Sequence, residues 1–169
     1  MGFDFISVPS TFEEKDEHLT PEELALHNAV GKAREVAKKH PKETVLGVDT
    51  VVAYKNHQLN KPKNDADAKR MLKTLSEKKH KVISAVCLID GKKGEERSAT
   101  EETSVKMRKI AKEEIEDYVK SGEGKDKAGA YAIQGKAAFF IEGIEGNYFN
   151  VVGLPLFLLG KLLKELEGN

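Results

Sequence analysis

The stretch Asp126-Lys-Ala-Gly-Ala-Tyr-Ala-Ile-Gln-Gly135, followed by Asn150-Val-Val-Gly-Leu-Pro155, decides how this chain is read. Two small-residue turns flank a tyrosine, an amide and a lysine. Glycine belongs where backbone must come close to something or take a turn closed to other residues. Taken alone, Gly129 and Gly135 are equally well ordinary strand-end turns. Together with Gly47-Val-Asp-Thr50 and Asn60-Lys-Pro62 upstream, the pattern becomes specific.

Composition sets the bounds. A chain of 169 residues makes one domain, with room for two small lobes around a cleft. Hydrophobic residues at 39% supply a packed core, and 33% charged residues a solvated surface. Lys+Arg and Asp+Glu balance at 28 each, which argues against a sequence-independent nucleic-acid binder, whose affinity would rest on phosphate neutralisation. A nucleotide site needs only a few cations and stays open. The single cysteine, Cys87, sits in an apolar run and reads as a small buried hydrophobe in a reducing compartment. With no signal-peptide pattern and no uninterrupted apolar segment of membrane-spanning length, the expectation is a cytoplasmic protein without a membrane role.

Along the chain, Phe3 to Val8 alternates as a half-buried strand does. Thr20-Pro21-Glu22-Glu23 is a helix start, with Thr at N-cap, Pro at N1 and Glu at N3. The helix carries Leu24, Ala25, Ala29 and Ala33 inward and ends near Pro41. Thr44 to Tyr54 reads as an apolar strand. Asn64 or Asp65 caps a helix to about Ser76. His80–Ile89 and Glu95–Met107 pair across Asp90-Gly91. A short helix spans Glu113–Ser121, a strand Ala137–Ile144, and a last helix, about Leu154–Leu166, repeats leucines at helical spacing. Strands and helices alternate, so the expected class is α/β, a mixed twisted sheet with flanking helices.

Chemistry-bearing residues are few. Asp49 sits inside an apolar strand, where a carboxylate is costly unless paired, protonated or metal-bound. Glu14, beside Glu13 and followed by Asp16 and Glu17, reads by itself as part of a solvated acidic loop. Lys32 and Lys61, read by themselves, are surface charges. Gln134 offers a donor and an acceptor together, which complements the edge of uracil or thymine. The five histidines show no metal-ligand spacing, and His80 reads as structural. No phosphate-binding Gly-x-x-x-x-Gly-Lys-Ser/Thr run is present.

These motifs resemble the Maf family of nucleoside triphosphate pyrophosphatases, over nearly the whole chain from about Gly2 to about Leu166. The resemblance implies a single domain over 1–169 with a nucleotide-binding cleft. It implies hydrolysis of a nucleoside triphosphate between its α and β phosphates. Asp49 then matches the family's catalytic acid, which either deprotonates the attacking water or holds the metal. Glu14 would help Asp49 hold Mg²⁺ or Mn²⁺, and Lys32 and Lys61 would contact phosphate. Asn60 stands where the family has Gly, a change that a left-handed turn tolerates. Gln134 and Thr50 go with the branch preferring dTTP and UTP.

One departure stands beside the match. The family opens with a strand and a Ser-x-Ser-Pro-Arg-Arg loop, and nothing here matches it. The expectations are an N-terminally truncated domain, weakened phosphate binding and an unpaired sheet edge that invites a homodimer. The alternative functional reading is a catalytically impaired nucleotide-binding protein acting in growth or cell-division control. Action on inosine or xanthosine triphosphates is disfavoured by the Gln134 region.

Overall fold

A computed structural model describes residues 4–14, 18–55 and 57–168. Phe3, Asp16 and Glu17 therefore lie outside the described residues. Helix α1 (Pro21–Lys39) starts where its capping signal places it: the Thr20 hydroxyl accepts from the Glu23 N–H at 3.3 Å, and the Glu23 carboxylate accepts from the Thr20 N–H at 2.9 Å. Strand β1 (Thr44–Tyr54) follows, then the short β2 (His57–Leu59) and helix α2 (Asp65–Leu75), capped by Asn64. Strands β3 (Lys79–Asp90) and β4 (Glu95–Met107) form the long hairpin across Asp90-Gly91. Helix α3 (Lys112–Lys120), strand β5 (Ile141–Glu145) and helices α4 (Tyr148–Val152) and α5 (Leu156–Glu167) complete the chain.

The five strands form one sheet in the order β2-β1-β3-β4-β5, and every described ladder is antiparallel. Successive side chains of a strand point to opposite faces, and here both faces are covered. On one face Val45, Val51, Ala53, Ile83, Ala85 and Cys87 pack against the Leu24, Ala25, Ala29 and Ala33 stripe of α1. On the other, Val52, Val82 and Val105 meet α2 and α3, while Val86 and Leu88 meet Leu159, Leu162 and Leu166 of α5. This explains why β3 is apolar almost without interruption: each face has its own helix layer to meet.

Two expected strands differ. Residues 4–8 form no strand, and Phe5 and Ile6 are exposed at 84% and 80%, so the alternation there finds no described partner strand to bury its apolar half. The strand expected over Ala137–Ile144 begins only at Ile141, because Lys136–Phe140 winds into a 3₁₀ turn whose first N–H groups, on Lys136 and Ala137, donate to the Glu123 carboxylate. Asn60 is not among the left-handed residues; the left-handed backbone nearby falls instead on Gly129 and Ala130, and the Gly129 N–H donates to the Asn60 carbonyl at 3.3 Å. Among the described residues no helix is long and apolar enough to cross a membrane.

Candidate active site

The site forms where α1 crosses β1. Gly47 makes that crossing close: a Cβ built there would stand 2.4 Å from the Ala29 carbonyl oxygen. Two residues on, Asp49 points to the same face and meets α1 side chains one turn apart. The Lys32 ammonium donates to Asp49 Oδ1 at 2.6 Å, and the Asn28 amide donates to Oδ2 at 3.3 Å. Lys32 also contacts Glu14 Oε1 at 2.6 Å. One ammonium thus lies between two carboxylates. Burial works against the Lys32 charge, but the hydrogen bonds and charges of Asp49 and Glu14 outweigh it and raise its pKa. Asp49 is the better shielded carboxylate, with its side chain 12% exposed against 47% for Glu14.

Two adjoining hollows share Asp49, Thr50, Lys61 and Ala128. The smaller, about 270 Å³, adds Glu14, Asn28, Lys32 and Asn60 and is the charged end. The larger, about 370 Å³, is lined by Val48, Val52, Val82, Val151 and Val152 together with the buried Tyr131 and the charged Asp126 and Lys127. Together they make a cleft with an ionic end and an apolar end, the shape a nucleotide requires.

The apolar end is held by buried hydrogen bonds. The Thr50 hydroxyl lies 2.8 Å from that of Ser84 on the neighbouring strand, and Ser84 donates to the Asn150 carbonyl at 3.1 Å. The Asn150 amide donates to the Val82 carbonyl and the Thr103 hydroxyl, both at 3.0 Å, which fixes α4 and the turn at Gly153 against the sheet. Behind the cleft, His80 Nε2 lies 2.8 Å from the Tyr131 hydroxyl, and burial lowers the His80 pKa to about 4.

Glu14, Lys32, Asp49, Thr50 and Lys61 are therefore brought to one cleft. Gln134 is not: it lies on the exposed turn after Tyr131 and lines neither hollow. Asn28, four residues before Lys32 on the same helical face, was not singled out in the sequence. Its Oδ1 is buried with no hydrogen-bond partner.

Among the described residues no three His, Cys, Asp or Glu side chains cluster as a ready-made metal site. The donor set nevertheless fits a hard divalent ion. Two carboxylates converge on one cation position, filled here by the Lys32 ammonium, and such ions commonly take a few carboxylates and complete their shell with water and substrate phosphates.

This combination of fold and cleft defines a nucleotide-handling α/β domain. The model of the Maf-like protein family matches residues 1–166, and the chain belongs to that family. It is 44% identical to the dTTP/UTP pyrophosphatase of Methanosarcina mazei over 98% of this chain and 85% of that protein. It is 45% identical to the dTTP/UTP pyrophosphatase of Ruminiclostridium cellulolyticum over 96% of this chain and 86% of that protein. The dTTP/UTP pyrophosphatase of Pyrococcus abyssi is 41% identical over the same shares, 96% and 86%.

Proposed function

We propose that the protein is a nucleotide pyrophosphatase that hydrolyses dTTP and UTP to the monophosphate and pyrophosphate. The observation that carries the reading is the meeting of Asp49, Lys32 and Glu14 at the charged end of a cleft whose other end is apolar. The names of relatives at 41–45% identity support the same substrates.

In this reading the base enters the apolar hollow beside Thr50 and Tyr131, and the phosphates extend toward Lys61 and Lys32. Water attacks phosphorus at the α–β link: its oxygen forms the new P–O bond, the bridging oxygen leaves with pyrophosphate, and a water proton passes to the Asp49 carboxylate. Asn28 holds that carboxylate by its other oxygen. Lys32 and Lys61 balance the charge that shifts to the leaving group, the kind of fixed electrostatic help that works best in a water-poor site. Glu14 and Asp49 would hold a divalent cation, Mg²⁺ or Mn²⁺, whose contribution is to polarise phosphate oxygens. Gln134, exposed on the turn after Tyr131 and outside both hollows, has no place against the base in this reading.

The test is pyrophosphate release from a panel of nucleoside triphosphates, with and without Mg²⁺. The expected result is Mg²⁺-dependent turnover favouring dTTP and UTP. Preference for inosine or xanthosine triphosphate, or no release from any nucleotide, would overturn the proposal.

A further inference from the structure

Glu14 poses a problem that the fold answers in an unusual place. It sits on a segment without regular secondary structure, and its side chain is 47% exposed. A half-exposed ion pair is worth little and does not by itself order a loop. Yet Glu14 reaches Lys32 at 2.6 Å.

The ordering comes from the residues before it. The Glu35 carboxylate accepts from the Ser10 hydroxyl at 3.0 Å, from the Thr11 N–H at 3.2 Å and from the Thr11 hydroxyl at 3.2 Å. Ser10 in turn accepts from the Phe12 N–H at 3.1 Å. The Phe12 ring then lies on the bare backbone of α1 at Gly31, where an added Cβ would stand 2.3 to 2.6 Å from three of its ring atoms, and it tilts against His27 at 5.5 Å between ring centres. Glycine inside a helix weakens it, and here its missing side chain is the space that the ring fills. Gly31 adjoins Lys32, and Glu35 stands one turn further on. The two anchors therefore bracket the lysine that Glu14 must reach.

We infer that Ser10–Glu14 is a strap fastened to α1 so as to hold Glu14 at the site, with Phe12, Gly31 and Glu35 as its positioning residues. The inference rests on the reading that Glu14 is an ion ligand of a nucleotide pyrophosphatase. The strap acts on no reacting atom; it fixes where the Glu14 carboxylate stands. Loss of such supporting contacts around a metal ligand typically costs about 10–100-fold in metal affinity.

The experiment measures Mn²⁺ binding by the electron paramagnetic resonance signal of the free ion, in the presence of the α,β-methylene analogue of dTTP. The variants are Gly31→Ala, Phe12→Ala and both together, each made with Glu14 and with Glu14→Gln. Gly31→Ala raises helix propensity, so a failure to fold does not cloud the result. Each single change is expected to weaken Mn²⁺ binding about tenfold, and the double variant no more than either single one. In the Glu14→Gln background none of them should weaken binding further. Equal weakening with and without Glu14, or undiminished binding in Gly31→Ala while Glu14→Gln loses it, would overturn the strap. Undiminished binding in Glu14→Gln itself would instead overturn the ion-ligand role, a separate failure that removes the strap's purpose.

Discussion

Gly47→Ala is the sharpest test of how the site is built, because it alters no side chain that touches substrate. An added Cβ would stand 2.4 Å from the Ala29 carbonyl, 2.8 Å from the Ala33 Cβ and 2.9 Å from the Ala33 nitrogen, where ordinary contact begins at 3.4 Å. Two of these atoms are helix backbone and cannot rotate away, so α1 and β1 must part by about 1 Å, the overpacking response of a dense core. That shift falls on the contacts from Lys32 and Asn28 to Asp49, now 2.6 and 3.3 Å, and carries both out of good hydrogen-bonding range. Overpacking of this kind costs about 1–3 kcal/mol. At roughly 2–4 °C per kcal/mol for a domain of this size, the melting temperature should fall by roughly 2–12 °C. Activity should fall further than stability, since a misplacement of about 1 Å at a reacting group costs on the order of 100-fold. The assay is kcat/KM for dTTP by pyrophosphate release at 25 °C, with circular dichroism to establish that the variant is folded. A folded variant with a lowered melting temperature and kcat/KM within about threefold of the parent would refute the argument that α1 is held against β1 to place Asp49.

Asp49→Asn keeps the shape of the side chain but neither accepts a proton nor balances a cation, so kcat should fall about 100-fold or more with the fold intact by circular dichroism; turnover within a few-fold of the parent would remove Asp49 from the reaction. His80 is neutral in the fold, its pKa lowered by burial to about 4 from an ordinary 6.5, so its contribution is present above pH 6.5 and lost as pH falls toward 4. By pH 4.5 that loss amounts to about 2–3 kcal/mol, and urea denaturation should show the parent losing more stability between pH 7 and pH 4.5 than His80→Gln does. Cys87 is fully buried, and burial pushes its thiol up to about 12, so a thiol reagent should label it only after denaturant unfolds the chain; rapid labelling of the native protein would contradict the packing under α1.

Legibility in the sequence followed the reach of the forces involved. The start of α1 was readable because Thr20, Pro21 and Glu23 settle it within four residues. Strand β1 was readable from its apolar, β-rich composition, and β4, rich in Glu, was readable only as the partner of β3 across the Asp90-Gly91 turn. The alternation of residues 3–8 was a poor guide, since alternation reports a half-buried surface only when a neighbouring strand and layer exist to bury it. The late start of β5 depends on Glu123, many positions upstream, which no local pattern announces. In the site, Asp49 stood out as a carboxylate in an apolar strand. Asn28 did not, because an asparagine on a helix face looks like solvent-facing polarity until β1 is laid across it. The reading of Lys32 as a phosphate contact left out its partners, the two carboxylates of Glu14 and Asp49.

The ends of the sheet bear on how the protein behaves in concentrated solution. An edge strand exposes unpaired backbone groups that recruit strands from other molecules into fibrous aggregates. One end strand, β2, has only three residues and pairs β1 at Val52, Ala53 and Tyr54 alone, so on this side the outer edge of residues 44–51, with no strand partner among the described residues, is the longer landing for an incoming strand. The other, β5, is five residues long, departs from regular pairing with β4 at Lys106 and Met107, and presents Glu142 and Glu145 bonded to Lys106 and Lys79. A foreign strand docking on β5 would have to strip water from both ion pairs as it gained its backbone bonds. The broad middle of the sheet, where β3 carries a nearly unbroken apolar run, is shut between two neighbours and two helix layers and reaches other molecules only if the domain opens.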